Sequence, residues 1–145
     1  MSRIVIWLAL LSAVFSGFIY LQAKERWSKY GLYYLEGDAG QTALVISPDG
    51  RPIEPKANDP EAPTLPGFHV GSRRFKFIAS HFSEREFSFR TERIEGTEYS
   101  FVGSFGHEDV EDIPDVPFLA GTLTEIRKGR LVTKKTVHFG HAVIL

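Results

Sequence analysis

His107, Glu108 and Glu111 form the part of this sequence that comes closest to a metal-hydrolase motif. In zinc proteases with the H-E-x-x-H motif, two histidines one helical turn apart bind the ion and the glutamate acts as general base. Here a glutamate stands where the second histidine is required. The stretch also lies within Gly106–Asp115, where five acidic residues interrupt the strand pattern and indicate a loop. We therefore expect no zinc-hydrolase site.

The other histidines lack the spacing of metal ligands. His138 and His141 are three residues apart in a predicted strand, so their side chains would lie on opposite faces of a sheet. His69 and His81 stand alone. The acidic segment lacks the Asp-x-Asp-x-Asp-Gly spacing of an EF-hand calcium loop. We expect no metal ligand and no cofactor, and therefore no rise in melting temperature with calcium or zinc.

The sequence also contains no recognisable motif for nucleophilic catalysis. Gly103-Ser104-Phe105-Gly106 lacks the G-x-S-x-G spacing of a nucleophile elbow, and its serine lies on the polar side of a predicted strand. There is no Ser-x-x-Lys pair and no glycine-rich phosphate loop. The absence of cysteine excludes a disulfide, an iron–sulfur cluster and a thiolate zinc site. The sequence thus predicts a protein that is not an enzyme.

The charge of the chain argues against a nucleic-acid partner. The formal net charge is −1, so no strong positive field would attract a polyanion. Several basic residues do fall on neighbouring predicted strands, where acidic residues such as Glu92 and Glu98 interrupt them. We interpret them as a solvated sheet face, and the alternative is a patch that faces anionic lipid or a partner. These residues are Arg73, Arg74, Lys76, Arg90, Arg93, Lys134 and Lys135.

The sequence pattern predicts antiparallel β-structure, and these strands would have to position any functional site. Apolar and polar residues alternate with a period of two, as in "EFSFRTERI" and "TEYSFVGSF", which puts phenylalanines on one face. Short turns such as Arg127-Lys128-Gly129 separate the strands. We predict an all-β antiparallel meander, a small barrel or sandwich of about seven strands, at residues 30–36, 42–47, 74–82, 86–94, 97–105, 118–126 and 130–145.

Two segments fall outside this pattern and are the predicted contact regions. Pro52–Pro66 holds five of the eight prolines and reads as an extended, mobile loop, because proline cannot donate to a strand ladder. Gly106–Asp115 is the acidic segment. Both would be dispensable for the core, so they are free to contact a partner.

Residues 1–23 differ in composition from the predicted domain at residues 24–145. Ile4 to Leu21 is an uncharged run of 18 residues, long enough to span a thin bilayer as a helix. A signal peptidase site at Ala23 would have the large Leu21 two residues before the cut. We favour a retained single-pass anchor in the cell inner membrane with an extracytoplasmic domain. The alternative is a cleaved signal and a secreted or periplasmic protein.

Two functions fit these features. The favoured one is a membrane-anchored β domain that serves as a protein-interaction or structural subunit. The alternative is a carrier, a small barrel that binds an apolar ligand in an interior lined by aromatic residues. An interior filled by its own side chains favours the first function and a cavity of several hundred cubic ångströms the second. The predicted lining is Phe75, Phe77, Phe87, Phe89, Tyr99, Phe101 and Phe139.

Overall fold

The computed structural model describes residues 28–142, and the predicted membrane helix at residues 1–23 lies outside them. No helix in the described residues has the length and apolar character to cross a membrane. Nine strands occur in this part of the chain: β1 (Gly31–Leu35), β2 (Thr42–Ile46), β3 (Gly67–Val70), β4 (Arg73–Phe75), β5 (Phe77–Phe82), β6 (Glu86–Thr91), β7 (Thr97–Val110), β8 (Ile113–Arg127) and β9 (Arg130–His141).

The strands form one antiparallel sheet that curls into a nearly closed barrel. Their order is β4-β3-β2-β1-β9-β8-β7-β6-β5, so every pair except β1–β9 joins strands that are consecutive in sequence. This confirms the predicted all-β antiparallel meander, but the sheet has nine strands where about seven were predicted, and β3 was missed. The β1–β9 pair brings the two ends of the domain together, with Tyr33 opposite His141 and Leu35 opposite Phe139.

The barrel is interrupted at a seam between β4 and β5, which are adjacent in the chain but not paired with each other. The sequence predicted one strand over residues 74–82, and that prediction was wrong. Arg73–Phe75 pairs with β3, whereas Phe77–Phe82 pairs with β6. The chain divides at Lys76, whose carbonyl accepts a hydrogen bond of 2.9 Å from the Glu92 backbone N–H. A register shift after Phe77 also ends the simple alternation that the sequence suggested.

The acidic segment Gly106–Asp115 is the tip of a long hairpin, so the predicted loop was wrong. β7 and β8 stay paired up to Val110 and Ile113. Only Glu111 and Asp112 form the turn, with Glu111 in the left-handed region at φ 54°. Acidic residues have low strand propensity, but that preference is small and the long backbone ladder overrides it.

Aromatic side chains fill the interior, as the alternation in β6 and β7 predicted. Phe89 and Phe101 are 4% and 1% exposed, and their rings stack at a centroid distance of 5.7 Å. The Phe139 ring meets the Phe101 ring edge-on at 5.6 Å. Tyr33 and Phe68 contribute further fully buried rings from the other half of the sheet. Contacts of this kind give the barrel a packed core.

The Pro52–Pro66 segment packs against the barrel, contrary to the expectation of a mobile loop. Strand β2 is buried along its whole length, so its outer face also needs a cover. Ala62 supplies part of it in a small cluster with Leu32 and Val45, and Ile53 packs against that cluster. Within the segment, the Ile53 N–H donates to the Thr64 carbonyl at 2.8 Å. The segment is therefore part of a second, smaller core.

Candidate functional site

Within the part of the chain that the structure describes, strand β9 has one side of its backbone unpaired over most of its length. β8 pairs with β9 from end to end, whereas β1 reaches only Phe139–His141. The last β1–β9 bond runs from the Glu36 N–H to the His138 carbonyl, at 2.9 Å. Beyond it, residues 36–40 turn away toward β2. Residues 130–137 therefore present a free edge, here called the β9 edge.

The direction of the backbone groups follows from the ladder. In an antiparallel strand, the N–H and C=O of alternate residues point to the same neighbour. Because the His138 carbonyl points toward β1, the backbone groups of Thr136 and Lys134 point to that side as well. No strand among residues 28–142 covers them there. The β9 edge thus offers donors and acceptors in the spacing that an added strand requires.

The side chains of this edge are a mixture of exposed apolar and basic groups. Leu131 and Val132 are 62% and 44% exposed. Glu125 lies opposite Thr133 and Ile126 opposite Leu131, so Val132 is the extra residue of a bulge. Edge lysines and bulges are devices that limit uncontrolled strand pairing. They are consistent with an edge that stays open in the folded domain.

A small cleft lies beside the β9 edge, where β1 and β9 diverge. Its volume is about 200 Å³, and Leu35, Phe68, Thr133 and Lys135 are among its lining residues. Asp38 also lines it, with a buried Oδ1 that has no hydrogen-bond partner among the described residues. An occupant of this cleft would contact both apolar carbon and a carboxylate.

Tyr99 lies between this cleft and a second, larger one of about 410 Å³. Its hydroxyl donates to Glu125 Oε1 at 2.8 Å. Burial, and then this bond to a carboxylate, raises the pKa of Tyr99 to about 12. Arg127 forms an ion pair with the same carboxylate at 3.2 Å. Tyr99 therefore stays protonated and donates its hydrogen bond to Glu125. The negative charge of Glu125 is balanced by Arg127.

Ion pairs divide the predicted basic face. Arg73 lies 3.1 Å from Glu95, and Arg93 lies 3.3 Å from Glu98. These pairs are exposed or half-exposed, so each contributes little to stability. They do neutralise the positive charge locally, in keeping with a solvated sheet face.

The third opening lies at the seam between β4 and β5. It measures about 420 Å³ and is lined partly by Pro48, Lys76, Phe77 and Phe87. It is open to solvent, and the core side chain of Phe87 forms part of its lining. An apolar ligand would be only partly enclosed there.

The five histidines occupy three kinds of setting. His69 contacts the Leu65 carbonyl at 2.8 Å and His141 the Tyr30 carbonyl at 3.3 Å. Burial lowers the pKa of both rings, and in each case the backbone contact opposes part of that effect. His81 and His107 are exposed. His138 stacks on the Phe118 ring at 4.6 Å.

Two glutamates flank His138, a grouping that the sequence did not reveal. Its Nδ1 lies 3.0 Å from Glu36 Oε1, and its Nε2 lies 3.4 Å from Glu108 Oε2. One ligand atom from each residue can be chosen so that all three lie within 4.8 Å of one another. Sequence spacing could not find this set, because Glu36 follows β1 while the others lie on β7 and β9.

The chain matches no protein-family model, no curated protein and no solved structure.

Proposed function

We propose that this domain works by contact, as a protein-interaction subunit that accepts a strand of its partner along the β9 edge. The observation that carries this proposal is the unpaired backbone of residues 130–137. Strand addition draws its affinity from main-chain hydrogen bonds, and the neighbouring side chains give specificity. Leu131 and Val132 supply apolar contacts beside those bonds.

The cleft beside this edge adds to the proposal. A strand paired with β9 would run past Thr133 and Lys135, over the opening that Leu35 and Phe68 line. Side chains of that strand that point inward would enter the cleft. A partner segment with a small apolar residue and a basic residue matches this lining, because Asp38 contributes a buried carboxylate oxygen.

The carrier alternative has less support. Phe75, Phe87 and Phe139 of the proposed lining are 2%, 2% and 0% exposed and pack in one cluster. Their own rings occupy the interior that a ligand would need. The clefts are open to solvent and reach these rings at the edge of the cluster, at Phe87 in the seam cleft and at Phe75 in the cleft of about 410 Å³.

Location is part of the same proposal. Residues 4–21 would anchor the chain in the cell inner membrane as a single-pass helix, with the β domain on the extracytoplasmic side. The alternative remains a secreted or periplasmic domain after signal cleavage. In both cases the β9 edge would meet partners outside the cytoplasm.

A pair of variants at one position tests the contact proposal. Lys134→Pro removes the outward N–H of the β9 edge, and Lys134→Ala removes only the side chain. Full-length protein is captured from its native cells in mild detergent, and the co-purified proteins are compared by mass spectrometry. We expect a partner that is retained by Lys134→Ala and lost with Lys134→Pro. A partner set that is identical for all three proteins would contradict strand addition.

A further inference from the structure

We propose that Glu36, Glu108 and His138 bind a divalent transition-metal ion such as Zn²⁺ on the outer face of the barrel. One ring nitrogen of His138 and one carboxylate oxygen from each glutamate would hold the ion, and water would complete its coordination. This inference is independent of the β9 edge and departs from the expectation of no metal ligand.

The three side chains lie close enough to converge on one ion. Zinc bonds to imidazole nitrogen and carboxylate oxygen are about 2.0–2.2 Å long. Two such ligands at angles of about 90–110° are separated by about 3.0–3.5 Å. Glu36 Oε1 lies 3.0 Å from His138 Nδ1, and Glu108 Oε2 lies 3.4 Å from the other ring nitrogen, Nε2. One ligand atom from each of the three residues lies within 4.8 Å of the other two, so a small adjustment is needed before all three can hold one ion. A modest rotation of the exposed Glu36 side chain would bring both carboxylates to the same nitrogen.

Among the described residues, one of the two contacts of His138 is not a hydrogen bond. A neutral imidazole has one N–H, so it can donate to only one of the two carboxylates. Its Nδ1 is buried and forms no hydrogen bond of acceptable geometry, although Glu36 Oε1 lies 3.0 Å away. A cation between these groups would satisfy a nitrogen lone pair and two negative charges together.

The imidazole ring is held in place by its surroundings. It stacks on Phe118 with an angle of 24° between the ring planes. Phe118 in turn lies over Gly106, where a methyl group would come within 2.3 Å of the phenylalanine ring. Gly106 therefore leaves the space that Phe118 needs. The more exposed Glu36, at 63%, leaves an approach from solvent.

The donor set selects among metals. Imidazole nitrogen suits zinc and other later transition metals, whereas magnesium and calcium prefer oxygen ligands alone. The ion would tie the end of β1 to β9 at the last hydrogen bond between them, and to the end of β7. Binding should therefore raise the melting temperature, because the unfolded chain does not hold these residues together.

Zinc chloride titration of the tag-free full-length protein in mild detergent tests the site. Affinity is measured by calorimetry after removal of metals with a chelator, and melting temperature is measured with and without the ion. We expect zinc binding that His138→Gln weakens by at least about tenfold and that Glu36→Gln and Glu108→Gln each weaken. His107→Gln and the double variant Asp109→Asn/Asp112→Asn should bind as the wild type does. Magnesium and calcium should not bind.

Three results would overturn the proposal. They are the absence of zinc binding, unchanged binding by His138→Gln, and loss of binding in the His107 or the Asp109/Asp112 variant. If His138→Gln fails to fold, the zinc affinity of Glu36→Gln becomes the deciding measurement. Glu36 has an exposed side chain, so its substitution is the least disruptive to the fold. Unchanged zinc affinity in folded Glu36→Gln would then refute the three-residue site.

Discussion

Replacing Gly121 by alanine should destabilise the barrel, whereas replacing Gly140 should not. Gly121 of β8 lies directly opposite Gly103 of β7. A methyl group on Gly121 would lie 2.2 Å from the Val102 carbonyl oxygen and 2.4 Å from the Gly103 Cα. Both are backbone atoms, so the two strands would have to separate locally. At Gly140 a methyl group would meet nothing within 4 Å.

The expected cost at Gly121 is that of overpacking, about 1–3 kcal/mol. For a domain of this size that corresponds to a fall in melting temperature of roughly 4–12 °C. Alanine at the control position should be neutral or stabilise by up to about 1 kcal/mol, because it restricts the unfolded chain. Thermal unfolding followed by circular dichroism measures both variants. Equal melting temperatures for the two variants would refute the close approach of β7 and β8.

Phe101→Ala should lower the free energy of unfolding by about 3–5 kcal/mol, and Ser100→Ala on the other face should change it by less than about 0.5 kcal/mol, as urea titration would show. Acidification should lower stability as the pH falls through about 6.5, because burial holds the folded-state pKa of His69 and His141 below the unfolded value, so protons bind the unfolded chain more readily. His141→Gln should make this pH dependence shallower in unfolding curves at pH 5 to 8, and an unchanged profile would exclude the ring as its source. The intact mass of the membrane-extracted protein should correspond to an uncleaved leader, whereas a chain that starts at Lys24 would end the anchor hypothesis.

The predictable part of the fold was the part governed by local alternation. In β6 and β7 each residue's face follows from a period of two, so Phe89 and Phe101 were placed in the core correctly. The division at Lys76 was not predictable in this way. It depends on a partner elsewhere in the chain, the Glu92 backbone, and the local pattern continues through it.

Composition misled the interpretation of the two irregular segments. Acidic residues made the tip of the β7–β8 hairpin look like a loop, and prolines made Pro52–Pro66 look mobile. The conformation of the hairpin tip is set by the β7–β8 backbone ladder, which extends outward from the core. The Pro52–Pro66 segment packs on the apolar outer face of β2, which would otherwise be exposed to solvent. Both conformations depend on contacts with distant parts of the chain, so a local stretch of sequence could not predict them.

The candidate sites depend on tertiary structure in the same way. The β9 edge exists because β1 is shorter than β9, and strand lengths are among the least certain features of a sequence pattern. Glu36, Glu108 and His138 come together only when three strands adopt one register. Nothing in the sequence indicated that these three residues would lie together.

Site-specific photo-crosslinking in the native cells tests whether a partner binds along the β9 edge. A benzophenone side chain is placed at Lys134 on the β9 edge and, as a control, at Val102, which is 70% exposed on a strand paired on both sides. We expect a discrete crosslinked partner at position 134 and none at position 102. Crosslinks at 102 alone, or equal crosslinks at both positions, would contradict recognition through the β9 edge.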